Sequence, residues 1–211
     1  MTADDRFVPV GYHDVAAGNI ASVVTDLEML APPGIRDVPL QSGFTLEPVS
    51  RIGVGAYRAL FRKIGADWLW FSRLFMSDDE LSAIITDPDV EIHILRSPAE
   101  EVGILELDFR EHGACELTFL GLTHECTGKG LGRALMGKAL ALAWSRPIRR
   151  MWLHTCTHDH PAALGFYINA GFTPYAFRVE VQADPRLSGH LPVEAAPRIP
   201  IIAPRPRAGA D

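Results

Sequence analysis

The pattern of apolar and polar positions predicts helices in the first part of the chain and strands from Val90 onward. Apolar residues three and four apart predict helices at residues 19–30 and 56–64. A capping box at Ser77–Glu80 predicts a third helix that ends near residue 86. Runs that fit the pattern of strands and end at turn residues are residues 44–49, 90–95, 102–109, 115–122, 151–155 and 175–181.

Two further helices alternate with the later strands. Residues 128–144 carry leucine and alanine at helical spacing, and residues 161–170 begin with a proline and end before Gly171. A hairpin is predicted at residues 110–113. The resulting order β-β-β-α-β-α-β indicates a mixed sheet covered by helices, an α+β or α/β layered fold.

Composition and spacing divide the chain into three parts. We expect an N-terminal helical extension at residues 1–43, a central domain at 44–183 and a proline-rich tail at 184–211. The tail contains too many prolines for a regular helix or a central strand, so an extended conformation is expected. Docking of the apolar stretch 199–203 on the body or on a second subunit is left open.

Composition limits the class of partner. The 211 residues include 47% apolar residues and carry a net charge of −6, which argues against nucleic acid as the main partner. No apolar run reaches the roughly 20 residues of a membrane span, and residues 1–5 lack the pattern of a signal peptide. The three cysteines form no regular framework, so we expect a cytoplasmic protein.

A glycine-rich turn is the most informative segment. It joins a predicted strand to the helix at 128–144, and helix N-terminal amides bind phosphate oxygens when glycines allow close approach. Lys129 and Arg133 add positive charge. The P-loop pattern is excluded because Gly130 follows Lys129, and the dinucleotide fingerprint is excluded because Arg133 replaces its third glycine. A glycine-rich helix start without a ligand is the alternative.

The turn Thr127–Gly132 resembles the acetyl-CoA signature of the GNAT superfamily, (Gln/Arg)-x-x-Gly-x-(Gly/Ala), with Thr127 at its first position. A second block common in the family follows, although His160 stands where Asn is usual. The residues that match this block are Ala163, Tyr167, Gly171 and Phe172. The resemblance covers about residues 44–181 and is closer to bacterial members with Trp-x-Trp and His-Thr-Cys-Thr-x-Asp-His-Pro segments. It implies a mixed, mostly antiparallel sheet flanked by helices.

The resemblance also implies that acetyl-CoA is the acyl donor. Its pyrophosphate would be held by the turn, and its pantetheine arm would pair with the strand before the turn like an added strand. The cofactor-binding residues implied in this way are Leu120, Gly121, Leu122, Thr127, Gly128, Lys129, Gly130, Leu131, Gly132, Arg133 and His160.

Acyl transfer to an amine needs a base for the amine and an acid for the leaving thiolate. By resemblance Tyr167 is the acid. Glu106 and Glu116 lie in neighbouring strands among apolar residues, where a raised carboxyl pKa would suit a base; solvated strand positions are the alternative. His124 is a weaker candidate for the base.

Two other chemistries receive less support from the sequence. Cys156 suggests a covalent acyl-enzyme, but no base is evidently paired with it. The histidines and cysteine at 154–160 match no zinc spacing, so no metal is expected. Trp68, Trp70 and Arg73 are candidates for the acceptor pocket, with a core cluster as the alternative.

The sequence thus predicts an acetyl-CoA-dependent N-acetyltransferase that acts directly on a primary amine of a small molecule, peptide or protein. No nucleic acid, membrane or metal is expected to take part, and a homodimer is left open. A transferase of another acyl group and a non-catalytic acyl-CoA-binding module remain as alternatives.

Overall fold

The computed structural model describes residues 7–34 and 38–205. The start at residues 1–5 and the end of the predicted tail at 206–211 lie outside the described residues. Within these ranges, seven strands form one sheet: β1 (Asn19–Met29), β2 (Thr45–Pro48), β3 (Val90–Arg96), β4 (Glu101–Asp108), β5 (Ala114–Leu122), β6 (Arg150–Cys156) and β7 (Thr173–Ala183). The same described residues form five α-helices: α1 (Val54–Gly65), α2 (Ser72–Phe75), α3 (Asp78–Ile85), α4 (Leu131–Ala143) and α5 (Ala163–Asn169).

The strand order in the sheet is β2-β3-β4-β5-β6-β1-β7. All neighbours are antiparallel except β5 and β6, which are parallel. The predicted mixed, mostly antiparallel sheet flanked by helices is therefore confirmed. Helices α1 and α3 cover one face and helix α4 covers the other, each over its own apolar core.

The predicted helix at residues 19–30 is wrong, because this segment is strand β1. It lies inside the sheet between β6 and β7, and both its faces contribute to cores: Ile20 packs on the α1 side and Leu27 on the α4 side. Burial on both faces gives apolar residues a spacing that resembles a helix. The β-branched run Val23–Thr25 is the feature that favours a strand.

Helix boundaries follow local chemistry. The capping box at Ser77 is confirmed, since the Glu80 amide donates to Ser77 Oγ at 3.2 Å and the Ser77 amide donates to Glu80 Oε2 at 2.8 Å. Helix α4 begins at Leu131, three residues later than predicted, because Gly128 and Gly130 adopt φ of 77° and 80°. Such left-handed residues interrupt a right-handed helix.

The tail contains no helix or strand at residues 184–205, as predicted, but it is not extended. It folds around Arg186, whose buried guanidinium donates to the Asp184 carboxylate at 2.7 and 2.9 Å and to the Ile199 carbonyl at 2.8 Å. Leu191 and Ala196 enter the α1-side core. The docking that the sequence left open therefore occurs on the body of the protein, where Ile199 packs against that core. The three-part domain division stays a prediction.

Candidate active site

A cleft opens where strands β5 and β6 part. Their parallel pairing lasts for three residue pairs, from Ala114 with Arg150 to Glu116 with Trp152. Beyond these pairs the strands diverge around a cleft of about 610 Å3. Its walls are the second half of β5, the end of β6, helix α5 and the aromatic segment 68–72.

The glycine turn forms one end of this cleft. Thr127, Gly128, Gly130, Gly132 and Arg133 line it, and within the described residues no side chain caps the start of α4. The first amides of an uncapped helix are free to donate to phosphate oxygens. This end of the cleft therefore fits the pyrophosphate of a CoA thioester.

Two residues of the predicted turn, Leu131 and Lys129, make contacts within the protein that limit what they offer to a ligand. The Leu131 side chain is fully buried beside Leu95 and Val102, so only its backbone is available to a ligand. The side-chain amide of Gln41 donates a hydrogen bond to the backbone carbonyl oxygen of Lys129. Gln41 thus braces the turn from outside, a role that nothing in the sequence around residue 41 signals.

The β5 wall contains a bulge at its centre. Glu106 pairs with Phe119 and Leu107 pairs with Leu117, so Thr118 has no partner residue on β4. The Thr118 hydroxyl is buried at the cleft without a hydrogen-bond partner in the described part of the chain. A buried unpaired polar atom is costly, so this hydroxyl fits a ligand with polar groups along β5.

Leu120, Gly121 and Leu122, which the resemblance assigns to the pantetheine arm, complete the β5 wall. A Cβ on Gly121 would lie 2.5 Å from Ile64 Cγ2 and 2.7 Å from Trp70 Cη2. Glycine is therefore required here so that α1 and Trp70 can pack directly on the strand. The open face of the strand is left to the cleft.

Tyr167 lies on helix α5 and lines the same cleft. Burial, with the charge of Asp159 as a smaller cause, raises the pKa of its phenol above the ordinary value. The phenol therefore stays protonated at neutral pH and can donate a proton to a leaving thiolate.

Asp159 organises the floor of the cleft, a role that the sequence did not reveal. Its carboxylate accepts hydrogen bonds from Thr155 Oγ1 at 2.7 Å, the Cys156 amide at 2.9 Å and Trp70 Nε1 at 3.3 Å. It thereby connects the end of β6 with the aromatic segment on the opposite wall. In the sequence Asp159 stood out only as part of the His-Thr-Cys-Thr-x-Asp-His-Pro segment, which assigned it no role.

The two candidate bases differ sharply in environment. Glu106 is fully buried, and its two oxygens accept hydrogen bonds from Arg73 and Tyr57, each at 2.5 Å. It is not among the residues that line the cleft. A carboxylate held between a guanidinium and a phenol is poorly placed to take a proton from a substrate. Arg73 is committed to the same ion pair, which leaves it no evident contact with an acceptor.

Glu116 has the properties of a base. Burial raises its carboxyl pKa to about 7, with the nearby Asp108 charge as the next cause. Glu116 is not among the lining residues either, but its side chain keeps 22% exposure, and its Oε1 lies 4.0 Å from Nε2 of His154, which lines the cleft. His124, the weaker candidate, is exposed and lines a separate smaller pocket of about 190 Å3.

Trp68 and Trp70 line the cleft opposite β6. Trp70 packs on Phe61 and Phe119 with ring centroids 5.3 and 5.0 Å apart, and so belongs to the core as well. Trp68 meets the His160 ring edge-on at 5.2 Å, which places His160 at the mouth of the cleft. This cluster thus lines the cleft and belongs in part to the core, and its role in binding an acceptor stays a prediction.

The tail reaches the mouth of the cleft through Arg198. Its guanidinium lies 4.8 Å above the Trp68 ring and donates to the carbonyls of Asp67, at 2.6 Å, and His158. One side chain thereby connects the aromatic segment with the turn after β6. The extended tail expected from the sequence gave no reason to place Arg198 here.

The cysteine and histidines near the cleft show no sign of covalent or metal chemistry. Burial and the Asp159 charge raise the pKa of the Cys156 thiol, which disfavours the nucleophilic thiolate. Residues 7–34 and 38–205 contain no group of three or more side chains arranged to hold a metal ion. In the same ranges, no helix has the length and apolar character needed to cross a bilayer.

Comparison with known families agrees with this architecture. The profile of the acetyltransferase (GNAT) family matches residues 59–172, more than half of the chain. The chain therefore belongs to the GNAT acetyltransferase family. No curated protein matches the chain in sequence.

Solved structures share the fold at low sequence identity. A GCN5-related N-acetyltransferase from Sphaerobacter thermophilus superposes with a TM-score of 0.58 at 15% identity, over 82% of this chain and 53% of its own. A GCN5-related N-acetyltransferase from Kribbella flavida gives 0.52 at 20% identity, over 82% and 63%. An aminoglycoside acetyltransferase from an uncultured soil metagenomic sample gives 0.50 at 13% identity, over 61% and 88%. This chain thus spans roughly half to two thirds of the first two proteins.

Proposed function

We propose that this protein transfers an acetyl group from acetyl-CoA directly to a primary amine. The observation that carries the proposal is a single cleft with an uncapped, glycine-rich helix start at one end and Tyr167 and Glu116 at and beside its walls. Acetyl-CoA supplies the activated acyl group as a thioester. Membership of the GNAT family supports this choice of donor.

Each protein residue has a defined task in the proposal. The amides at the start of α4 bind the pyrophosphate, and the backbone of Leu120–Leu122 holds the pantetheine arm. Glu116, with its pKa of about 7, takes a proton from the amine directly or through water. Tyr167 gives a proton to the departing thiolate. The Leu122 amide is a candidate donor to the thioester carbonyl.

The acceptor is proposed to enter from the aromatic side of the cleft, past Trp68 and Trp70. There its amine would approach Glu116 beside His154, which lines the cleft and lies 4.0 Å from the Glu116 carboxylate. The acceptor remains an amine of unspecified class. We further propose a reducing, cytoplasmic setting, which the three free cysteines Cys115, Cys126 and Cys156 support.

Calorimetric titration with acetyl-CoA, CoA and ATP tests the donor site. Acetyl-CoA and CoA should bind and ATP should not. Gly130→Ala should weaken binding about fivefold or more, since a side chain at φ of 80° costs on the order of 1–3 kcal/mol in the turn that holds the phosphates. Gly189→Ala is the matched control, because Gly189 has φ of 76° and lies in the tail.

Turnover is then measured as thiol release in the presence of a panel of amines. Thiol release that depends on the amine supports direct transfer. Failure of both acetyl-CoA and CoA to bind would refute the donor site and the transferase with it. Binding without thiol release for any amine would instead favour a non-catalytic acyl-CoA-binding module.

A further inference from the structure

Strand β7 is an uncovered edge of the sheet. It has 11 residues and pairs with β1 on one side, while no strand in the described part of the chain pairs with its outer side. Natural edge strands are usually short, interrupted by bulges or protected by charges, because a free edge pairs with other chains. Pro174 and a bulge at Tyr175 interrupt the first residues of β7, but residues 176–183 pair regularly with β1 and leave a long, nearly fully exposed edge that favours a partner.

The outer strand also exposes an apolar stripe. Phe177, Val179 and Val181 are 75%, 52% and 51% exposed on one face of the sheet. Val23 of β1, which pairs with Val179 in the register, is exposed beside them. Clusters of exposed apolar side chains on a soluble domain commonly mark an interaction surface.

The charges on β7 identify the occupant as a second copy of this chain. Arg178 and Glu180 flank Val179 on the opposite face of the strand. The Arg178 guanidinium pairs with the buried Asp26 of β1, but the Arg178 side chain stays 59% exposed and can contact a second carboxylate. If two β7 strands pair antiparallel about a two-fold axis at Val179, Arg178 of each copy stands opposite Glu180 of the other. Phe177 then meets Val181, and Val179 meets itself.

Neighbouring registers lack this complementarity. An axis at Arg178 places two arginines opposite each other, and an axis at Glu180 does the same for two glutamates. Opposed like charges destabilise a strand pair, whereas opposed unlike charges and apolar pairs stabilise it. The sequence of β7 thus favours one self-pairing register over those next to it.

We propose that this protein forms a homodimer in which two β7 strands pair antiparallel about Val179 and join the two sheets into one. The proposal is independent of the acetyl-transfer reaction. Glu180 and Gln182 line the cleft, so in the dimer Arg178 of the second copy lies beside the cleft of the first.

Cysteine cross-linking tests the register directly. Opposed residues in an antiparallel pair have Cα atoms about 4.5–5.5 Å apart, within the range of a disulfide. Val179→Cys should therefore form a covalent dimer under mild oxidation. Val193→Cys, exposed in the tail, is the control and should stay uncross-linked. Wild-type protein shows whether the native Cys156 contributes.

A charge-exchange experiment tests the partner without a covalent bond. Arg178→Glu alone and Glu180→Arg alone place like charges opposite each other in their homodimers, so each should sediment closer to the 23.1 kDa monomer than wild type does. Arg178→Glu also removes the ion pair with the buried Asp26, so its result counts only when Glu180→Arg gives the same shift. A mixture of the two variants restores both pairs and should recover the dimer. Glu194→Arg controls for the altered net charge, and circular dichroism establishes that each variant is folded.

Several results would overturn the proposal. One is a wild-type chain that sediments as a monomer at all concentrations. Another is a wild-type dimer that Val179→Cys does not cross-link, since such a dimer would use a different surface. Variants that fail to recombine in the mixture while remaining folded would reject the proposed charge pairs.

Discussion

The two ends of the cleft are built in different ways. The donor end is one continuous stretch, Leu120–Arg133, in which strand, turn and helix start follow one another along the chain. The acceptor end gathers side chains from α1, the aromatic segment, β4, β5, β6 and the tail, joined by Glu106, Asp159 and Arg198. A site made from one segment leaves a motif in the sequence, whereas a site made from many segments depends on the whole fold.

The largest effect is expected where the acceptor end meets the core. Glu106→Gln leaves Arg73 buried without a carboxylate partner, and loss of one member of a buried ion pair costs about 3 to 5 kcal/mol. Urea unfolding should show this loss. Glu47→Gln, which removes an exposed partner of Arg96, should cost less than about 1 kcal/mol.

The Glu106→Gln variant also distinguishes a structural role of Glu106 from a catalytic one. If Glu106 acts only through the ion pair, the surviving folded Glu106→Gln enzyme keeps the pH dependence of the wild type. Disappearance of the acidic limb in Glu106→Gln would return Glu106 to the role of base.

The next effect concerns Tyr167, which lies between the two ends. Tyr167→Phe removes the proton donor to the thiolate and should lower kcat about 10³-fold, within the usual range for acid–base catalysis. Acetyl-CoA affinity in calorimetry should stay near wild type, because the phosphate turn is unchanged. Phe166→Leu, a neighbouring change in the same wall, serves as the packing control. A kcat near wild type in Tyr167→Phe would remove Tyr167 from the acid role.

The sequence predicted the parts that depend on local spacing. The phosphate turn, the capping box at Ser77 and all strands from Thr45 onward fall within a few residues of their predicted places. Strand β1 was missed because its second half, Val24–Leu27, is buried on both faces, which removes the alternation of a half-exposed strand. The choice between Glu106 and Glu116 needed Tyr57 and Arg73, which lie 49 and 33 residues from Glu106 and meet it only in the folded chain.

Glu116 provides a test by pH. A base works as the carboxylate, so wild-type kcat/KM should rise with pH through about 7 and level off above it. Glu116→Gln should lose about 10²-fold in rate at pH 8 and should lack this rise with the same amine. A rise through pH 7 that persists in Glu116→Gln would assign the base to another residue.

The raised pKa of Glu116 also predicts that Glu116→Gln, which lowers activity, increases stability at high pH. The folded-state pKa of Glu116, about 7, lies above the ordinary carboxyl value of about 4.3. The contribution of the protonated Glu116 carboxyl to the free energy of unfolding is fully present below the ordinary pKa of about 4.3 and is lost as pH rises through about 7. Glu116→Gln should therefore raise Tm at pH 8 and leave it nearly unchanged at pH 4. An activity loss accompanied by a lower Tm at pH 8 would indicate disruption instead.

The smallest effect, and the sharpest test of the comparison, lies in the tail. Arg198→Met keeps much of the contact with Trp68 but removes the hydrogen bonds to the Asp67 and His158 carbonyls, so the two walls of the acceptor end lose their link. Hydrogen bonds from a charged group contribute about 1.5 kcal/mol or more, which corresponds to roughly a tenfold loss in kcat/KM for the amine. Acetyl-CoA affinity should not change, and Arg198→Lys should recover part of the loss. Equal losses for donor and acceptor would mean that the two ends are not separate units, and that the tail supports the cleft as a whole.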